Sequence, residues 1–124
     1  MHALGIAQIF EGTLDAAIAS LERASAQAGQ SSARILTDLS AAYLARWHER
    51  GDDNDAKKAA NLGLRAVTAD ASIPEAWFNL GLAREAVGDT TGAREAWTRY
   101  LEVDTDPKSI WREEARGHLR PLPP

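Results

Sequence analysis

Residues 74–107 carry the pattern that most restricts what this chain can fold into. Large apolar residues recur three or four positions apart on both sides of a Gly88-Asp89 pair; they are Trp77, Leu80, Trp97 and Leu101. This period is typical of amphipathic helices, and a glycine followed by a capping residue is typical of the turn between two helices. The pattern predicts two antiparallel helices joined by a tight turn, with Asp89 or Thr90 capping the second. The small residues Gly81 and Ala93 mark where the helices approach each other closely.

An earlier part of the chain repeats this pattern at a constant distance. Leu4, Gly5, Gly12, Ala17, Leu21 and Ala24 each precede a counterpart by 76 positions, and the counterparts are Leu80, Gly81, Gly88, Ala93, Trp97 and Tyr100. A fixed offset over so many positions indicates an internal repeat. Because Met1 falls where Trp77 falls in the later copy, we expect the first hairpin to be truncated, with its second helix over residues 13–28.

A longer copy lies between these two. Its first helix is marked by Leu36, Leu39, Ser40 and Tyr43, and its second by Ala59, Leu62, Ala66 and Val67. This copy exceeds a period of ~34 residues by about seven, which is roughly two helical turns. We expect one added turn on each helix, Trp47 packed on the first added turn, and a connecting loop over residues 51–55.

A final helix is predicted over about residues 109–119. Ile110, Trp111, Ala115 and Leu119 share one face, and the other positions are largely charged. A helical array exposes its last apolar face unless a helix with a polar outer side covers it, so this helix is expected to be a cap. The proline-rich residues 121–124 cannot continue it.

The repeated segments resemble tetratricopeptide (TPR) repeats. The match consists of Trp77-x2-Leu80-Gly81 and Ala93-x3-Trp97, with Arg84 where the family pattern has tyrosine. The resemblance implies an all-α fold, an α-α superhelix of about three helical hairpins plus a C-terminal capping helix. Residues 1–120 would be one domain, with repeats at about 1–29, 32–71 and 74–106 and the capping helix at about 108–120. Tyr100 stands where the family prefers a small residue, so looser or wetter packing is expected around it.

A narrower resemblance concerns the order of three segments. DLSAAYLAR at residues 38–46, EAWFNLGLAREA at 75–86 and AWTRYLEVD at 96–104 are similar to the bacterial TPR arrays that precede caspase-like CHAT peptidase domains. This likeness covers about residues 38–116 and implies a regulatory or recognition segment of a larger bacterial protein. The catalytic histidine and cysteine of that family lie in a downstream domain. This chain has no cysteine, so no catalytic residue is carried over.

Composition excludes several functional classes. The formal net charge of −4 disfavours binding to nucleic acid or to an anionic membrane. No signal peptide or long apolar run is present, and we expect a cytoplasmic protein. His2, His48 and His118 lie in different repeats without metal-ligand spacing, and we expect them on solvated surface. The acidic run at 52–55 lacks the glycine and glutamate of a calcium loop. We expect no cofactor, no metal and no enzymatic activity.

The TPR resemblance also implies a binding groove lined by the first helix of each hairpin. It assigns to this groove Arg34, Asp38, Ala41, Leu44, Ala45, Glu75, Phe78, Asn79, Leu82 and Ala86, with Ile6, Ile9 and Phe10 beside them. The basic residues with which a chaperone-binding subset grips a peptide carboxylate are absent, because His2, Glu75 and Asn79 stand in their places and Asp38 replaces an asparagine. An apolar centre with a polar rim suits an amphipathic helix or peptide. The partner would be another protein or another domain of the same polypeptide.

Three alternatives remain at this point. The groove residues could be covered by a further repeat, so that the chain is a structural spacer without a separate ligand. The chain could self-associate through an uncapped N-terminal end. It could also be a small stand-alone assembly adaptor.

Overall fold

The computed structural model describes residues 11–27 and 32–121, which form six α-helices and no strand. The helices are α1 (Glu11–Gln27), α2 (Ala33–Arg50), α3 (Asp53–Ala69), α4 (Pro74–Ala86), α5 (Thr90–Val103) and α6 (Ile110–Leu119). Each helix packs against the next, and α2 also packs against α4. The all-α superhelix predicted from the repeats is therefore confirmed. The first-copy residues before Glu11 lie outside the described part of the chain.

The turn between α4 and α5 is built as its sequence predicts. Gly88 has a φ of 82°, a left-handed conformation that favours glycine. The Asp89 side chain accepts a hydrogen bond from the backbone N–H of Gly92 at 2.9 Å. Of the two expected capping residues, Asp89 is therefore the one that caps α5.

The middle hairpin is longer than the last one, as expected. Helix α2 has 18 residues against 13 in α4, and α3 has 17 against 14 in α5. The expected loop over residues 51–55 is wrong, because only Gly51 and Asp52 separate the two helices. Asp52 accepts from the N–H of Asn54, and acidic side chains in a first helical turn interact favourably with the helix dipole. The acidic run therefore begins a helix.

The close approach of α4 and α5 is also confirmed. Ala93 and Trp97 are fully buried, and a Cβ at Gly81 would lie 2.6 Å from Cε2 of Trp97. Tyr100 differs from its expectation: it is fully buried, and its ring packs edge-on against Phe78 with centroids 5.3 Å apart. The packing around it is therefore closer than expected.

Helix α6 covers the end of the array. Ala115 is fully buried, and Trp111 and Leu119 pack against the same cluster. The Arg112 guanidinium donates to the carbonyl oxygens of Leu101 and Asp104, at the end of α5. Helix α6 therefore covers the apolar end of the array and supplies hydrogen bonds to carbonyl groups at the C-terminus of α5.

Candidate binding surface

The candidate surface is formed where α2 and α4, the first helices of two successive hairpins, lie side by side. At one end, Arg34 and Glu75 form an ion pair with 3.2 Å between Nη1 and Oε2. Further along, the Asn79 amide donates to the backbone carbonyl of Thr37 at 3.1 Å. These two contacts fix the lateral register of α2 and α4.

The predicted groove residues divide by exposure. One of them is exposed, Arg34. The half-buried ones are Asp38, Leu44, Ala45, Glu75, Leu82 and Ala86. The buried ones are Ala41, Phe78 and Asn79. Leu44 and Ala45 pack against the core cluster that joins α1 to α4, whereas Leu82 packs against the cluster of the last three helices. Ile6, Ile9 and Phe10 lie outside the described residues. The accessible part of the candidate surface therefore has a charged end at Arg34 and Glu75 and an apolar part around Leu82.

Phe78 is the main correction among these residues. It is fully buried, and its ring contacts Trp97 at 4.9 Å and Trp111 at 5.5 Å between centroids. Trp111 belongs to α6, which packs over the face of α4 that would otherwise be open. Phe78 is therefore a core residue and offers no open contact area to a ligand.

His118 is a second correction, because its side chain is only 26% exposed and packs against the core. Its ring stacks on Trp97 with centroids 4.5 Å apart and an interplanar angle of 11°. Its Nδ1 lies 2.9 Å from Oε2 of Glu85, and Trp97 Nε1 donates to the same oxygen at 2.5 Å. Glu85 thus links α4, α5 and α6. No sequence pattern indicates this role, because the rotation of α6 decides which of its side chains reach Glu85.

The added turn of the middle hairpin carries a network of charges. Arg46 binds both carboxylate oxygens of the buried Asp55, at 3.0 and 2.8 Å, which raises the pKa of the Arg46 guanidinium. Arg46 also contacts Asp15 on α1 at 3.2 Å, and Arg50 reaches the other oxygen of Asp15 at 2.9 Å. Arg50 and Arg46 together lower the pKa of Asp15. This network joins α1, α2 and α3, so its role is structural.

Two tyrosine hydroxyls make comparable links. The Tyr43 hydroxyl donates to Glu22 on α1, and burial followed by this hydrogen bond raises the pKa of Tyr43 to about 12. The Tyr100 hydroxyl donates to Asp104 at the end of α5. Burial of Asp104 raises its pKa, but hydrogen bonds from Tyr100 and Ser109 more than offset this, and the net effect is a lowered pKa.

The described residues contain no arrangement typical of catalysis by a metal. Within residues 11–27 and 32–121, no three His, Asp or Glu side chains come together in a way that could hold a metal ion. None of the helices in these ranges combines the length and the apolar character needed to cross a membrane.

Comparison with known proteins agrees with the repeat pattern. No protein-family model matches the chain. A TPR repeat-containing protein of Pseudomonas aeruginosa is 44% identical over 50 residues, which are 40% of this chain and 48% of that protein. The match supports TPR repeats in this chain. The aligned part spans about half of the relative, and the six helices agree with a TPR-like α-α superhelix.

Proposed function

We propose that this chain is a non-catalytic protein-interaction module that binds a peptide or an amphipathic helix on its first-helix side. The observation that carries the proposal is the lateral pairing of α2 and α4, whose accessible positions combine a charged end with an apolar part. TPR arrays characteristically bind partners on the side formed by their first helices. The relative from Pseudomonas aeruginosa supports the assignment to an interaction fold in general.

The proposed contact surface consists of Arg34, Asp38, Leu44, Glu75 and Leu82. Beneath this surface lie three buried residues that would not contact the partner directly: Ala41, Phe78 and Asn79. An amphipathic partner helix would place apolar side chains over Leu82 and polar side chains near the Arg34–Glu75 pair. The partner would be a separate protein or another domain of the same polypeptide.

Leu82→Glu is the substitution that tests this surface. Leu82 is half-buried and only partly packed against the core, so a glutamate there disturbs the core less than a charge at the fully buried Phe78 would. The matched control is Thr98→Glu on α5, where Thr98 is exposed and lies on a second helix. Wild-type and variant chains would be used to capture proteins from extracts of the source cells. The proposal expects a captured protein that is lost with Leu82→Glu and kept with Thr98→Glu, at unchanged melting temperatures.

The larger context is proposed on the sequence resemblance. Residues 1–120 would form one TPR domain, with repeats at about 1–29, 32–71 and 74–106, and would be a regulatory segment of a larger bacterial protein with a CHAT peptidase domain. The cytoplasm is the proposed location. An immunoblot of source cells tests this, because a band much larger than 13.4 kDa is expected for such a protein. A band at that mass would favour the stand-alone adaptor.

A further inference from the structure

The exposed face of α3 carries a stripe of residues that runs along the whole helix. Asp53, Lys57, Asn61, Leu64 and Thr68 are all exposed, and their spacing of three or four residues places them on one face. From the first to the last of them the stripe is about 22 Å long, the length of a helix of about 15 residues. It belongs to a second helix of a hairpin, so it is separate from the proposed contact surface on α2 and α4.

A depression lies at each end of this stripe. At the start of α3, Asp53, Lys57 and Val87 line a depression of about 140 Å³. At its end, Leu36, Leu64 and Thr68 line a wider one of about 440 Å³. Each depression contains an exposed large apolar side chain, because Val87 is 40% exposed and Leu64 is 47% exposed. The stripe therefore offers two places where a partner's apolar side chains could be buried.

Two lysines place positive charge on and beside this face. Lys57 and Lys58 are exposed, and within the described part of the chain neither pairs with a carboxylate. Lys58 lies over the Tyr43 ring at 5.4 Å. Asp53, at the very start of the stripe, carries a negative charge instead.

The corresponding helices of the other hairpins lack these features. Helices α3 and α5 correspond at a difference of 34 in residue number, which pairs the buried Ala59 with the buried Ala93. The counterparts of Lys57 and Leu64 on α5 are Thr91 and Thr98. On α1, where the difference is 42, they are Asp15 and Glu22. A helix face that only contacts solvent does not require a lysine and a leucine at these positions. The α3 stripe therefore differs from the corresponding faces of α1 and α5.

We propose that the α3 stripe is a second docking surface, which takes an acidic amphipathic helix of a partner protein. The partner's apolar side chains would enter the depressions at Val87 and Leu64, and its carboxylates would lie opposite Lys57 and Lys58. Charge complementarity of this kind selects the partner and speeds association. The first-helix side would remain free, so that one chain could hold two partners on opposite sides.

Two synthetic peptides of about 15 residues test the charge and the shape together. Both carry leucines at helical spacing; one has glutamates and the other lysines at the remaining positions. Binding is measured by fluorescence anisotropy. The acidic peptide is expected to bind at least about tenfold more tightly than the basic one, and less tightly at high salt. Equal binding of the two peptides, or no binding of the acidic one, would overturn the proposal.

Point variants identify where on the chain the acidic peptide binds. Leu64→Glu and Lys57→Glu are each expected to weaken the acidic peptide by at least about tenfold. Thr98→Glu, at the corresponding position on α5, and Leu82→Glu, on the first-helix side, are expected to change it less than about twofold. All four sites are exposed or half-buried, and melting curves confirm folding. Loss of binding with Thr98→Glu or Leu82→Glu alone would place the peptide elsewhere and refute the proposal.

A second copy of the chain is the competing occupant. Analytical ultracentrifugation over a range of concentrations separates the two cases. A wild-type chain that stays monomeric supports a distinct acidic partner. Self-association that is abolished by Leu64→Glu would assign the stripe to a dimer contact and overturn the acidic partner.

Discussion

Gly81 lies so close to the indole of Trp97 that a Cβ on Gly81 would stand 2.6 Å from Cε2 of that ring. Trp97 cannot easily move away. It is fully buried, its indole N–H is held by Glu85, and His118 stacks on its face. The contact between Gly81 on α4 and Trp97 on α5, called the seam below, therefore leaves no room for even one methyl group at position 81.

Gly81→Ala is expected to destabilise the chain by about 1–3 kcal/mol, because overpacking of a rigid core costs more than the helix propensity that alanine gains. Thermal and urea unfolding followed by circular dichroism measure the effect. Gly117→Ala on α6 is the matched control. At Gly117 an added Cβ would meet a single side-chain atom within 4 Å, Nη2 of Arg120 at 3.6 Å, so we expect unchanged or slightly higher stability. Equal stability of both variants would contradict the packing of the seam.

This seam is the part of the fold that sequence reasoning could predict. Gly81, Gly88 and Asp89 act within one hairpin, and their roles follow from helical periodicity and turn chemistry. The burial of Phe78 and the stacking of His118 could not be predicted in the same way, because both depend on the rotation of α6 against a neighbouring hairpin. The acidic run at 52–55 is ambiguous in the sequence, since short polar residues favour loops and helix starts alike.

Glu85 is expected to hold the end of the array together. Glu85→Ala would remove the acceptor of the buried Trp97 N–H, and a buried donor without a partner costs about 1–3 kcal/mol. Glu85→Gln keeps an oxygen acceptor and is expected to lose less. Unfolding monitored by tryptophan fluorescence measures both. If the alanine variant is as stable as wild type, the indole N–H does not depend on Glu85.

Arg46 and Arg50 share a partner but are expected to differ in importance. Arg46→Met leaves the Asp55 carboxylate, which is 4% exposed, without its cation. Removal of one partner from a buried pair costs about 3–5 kcal/mol, and we expect roughly the lower end because Arg46 itself is 21% exposed. Arg50→Ala removes a contact between two exposed side chains, Arg50 and Asp15, so little change is expected. Similar urea midpoints for the two variants would show that the Asp55 pair contributes no more than a surface contact.

The chain's two tyrosines, Tyr43 and Tyr100, predict how stability responds to alkaline pH. The pKa of Tyr43 is raised from 10.0 to about 12, first by burial and then by its hydrogen bond to Glu22. The pKa of Tyr100 is also raised, first by burial and then by its hydrogen bond to Asp104. A group whose pKa is higher in the folded state holds its proton more tightly there, so its contribution to stability is complete below the unfolded pKa and is lost as the pH rises toward the folded value.

We therefore expect the free energy of unfolding to fall as the pH rises from 10.0 toward about 12. In the same window, tyrosinate absorbance should stay low in the native chain, whereas in urea both tyrosines should titrate near 10.0, the ordinary pKa of tyrosine. Tyr100→Phe is the control: it should abolish one tyrosine's share of the absorbance change and flatten the alkaline loss of stability. Native tyrosines that titrate as they do in urea would show that neither hydroxyl is held by its carboxylate, and the links to Glu22 and Asp104 would have to be abandoned.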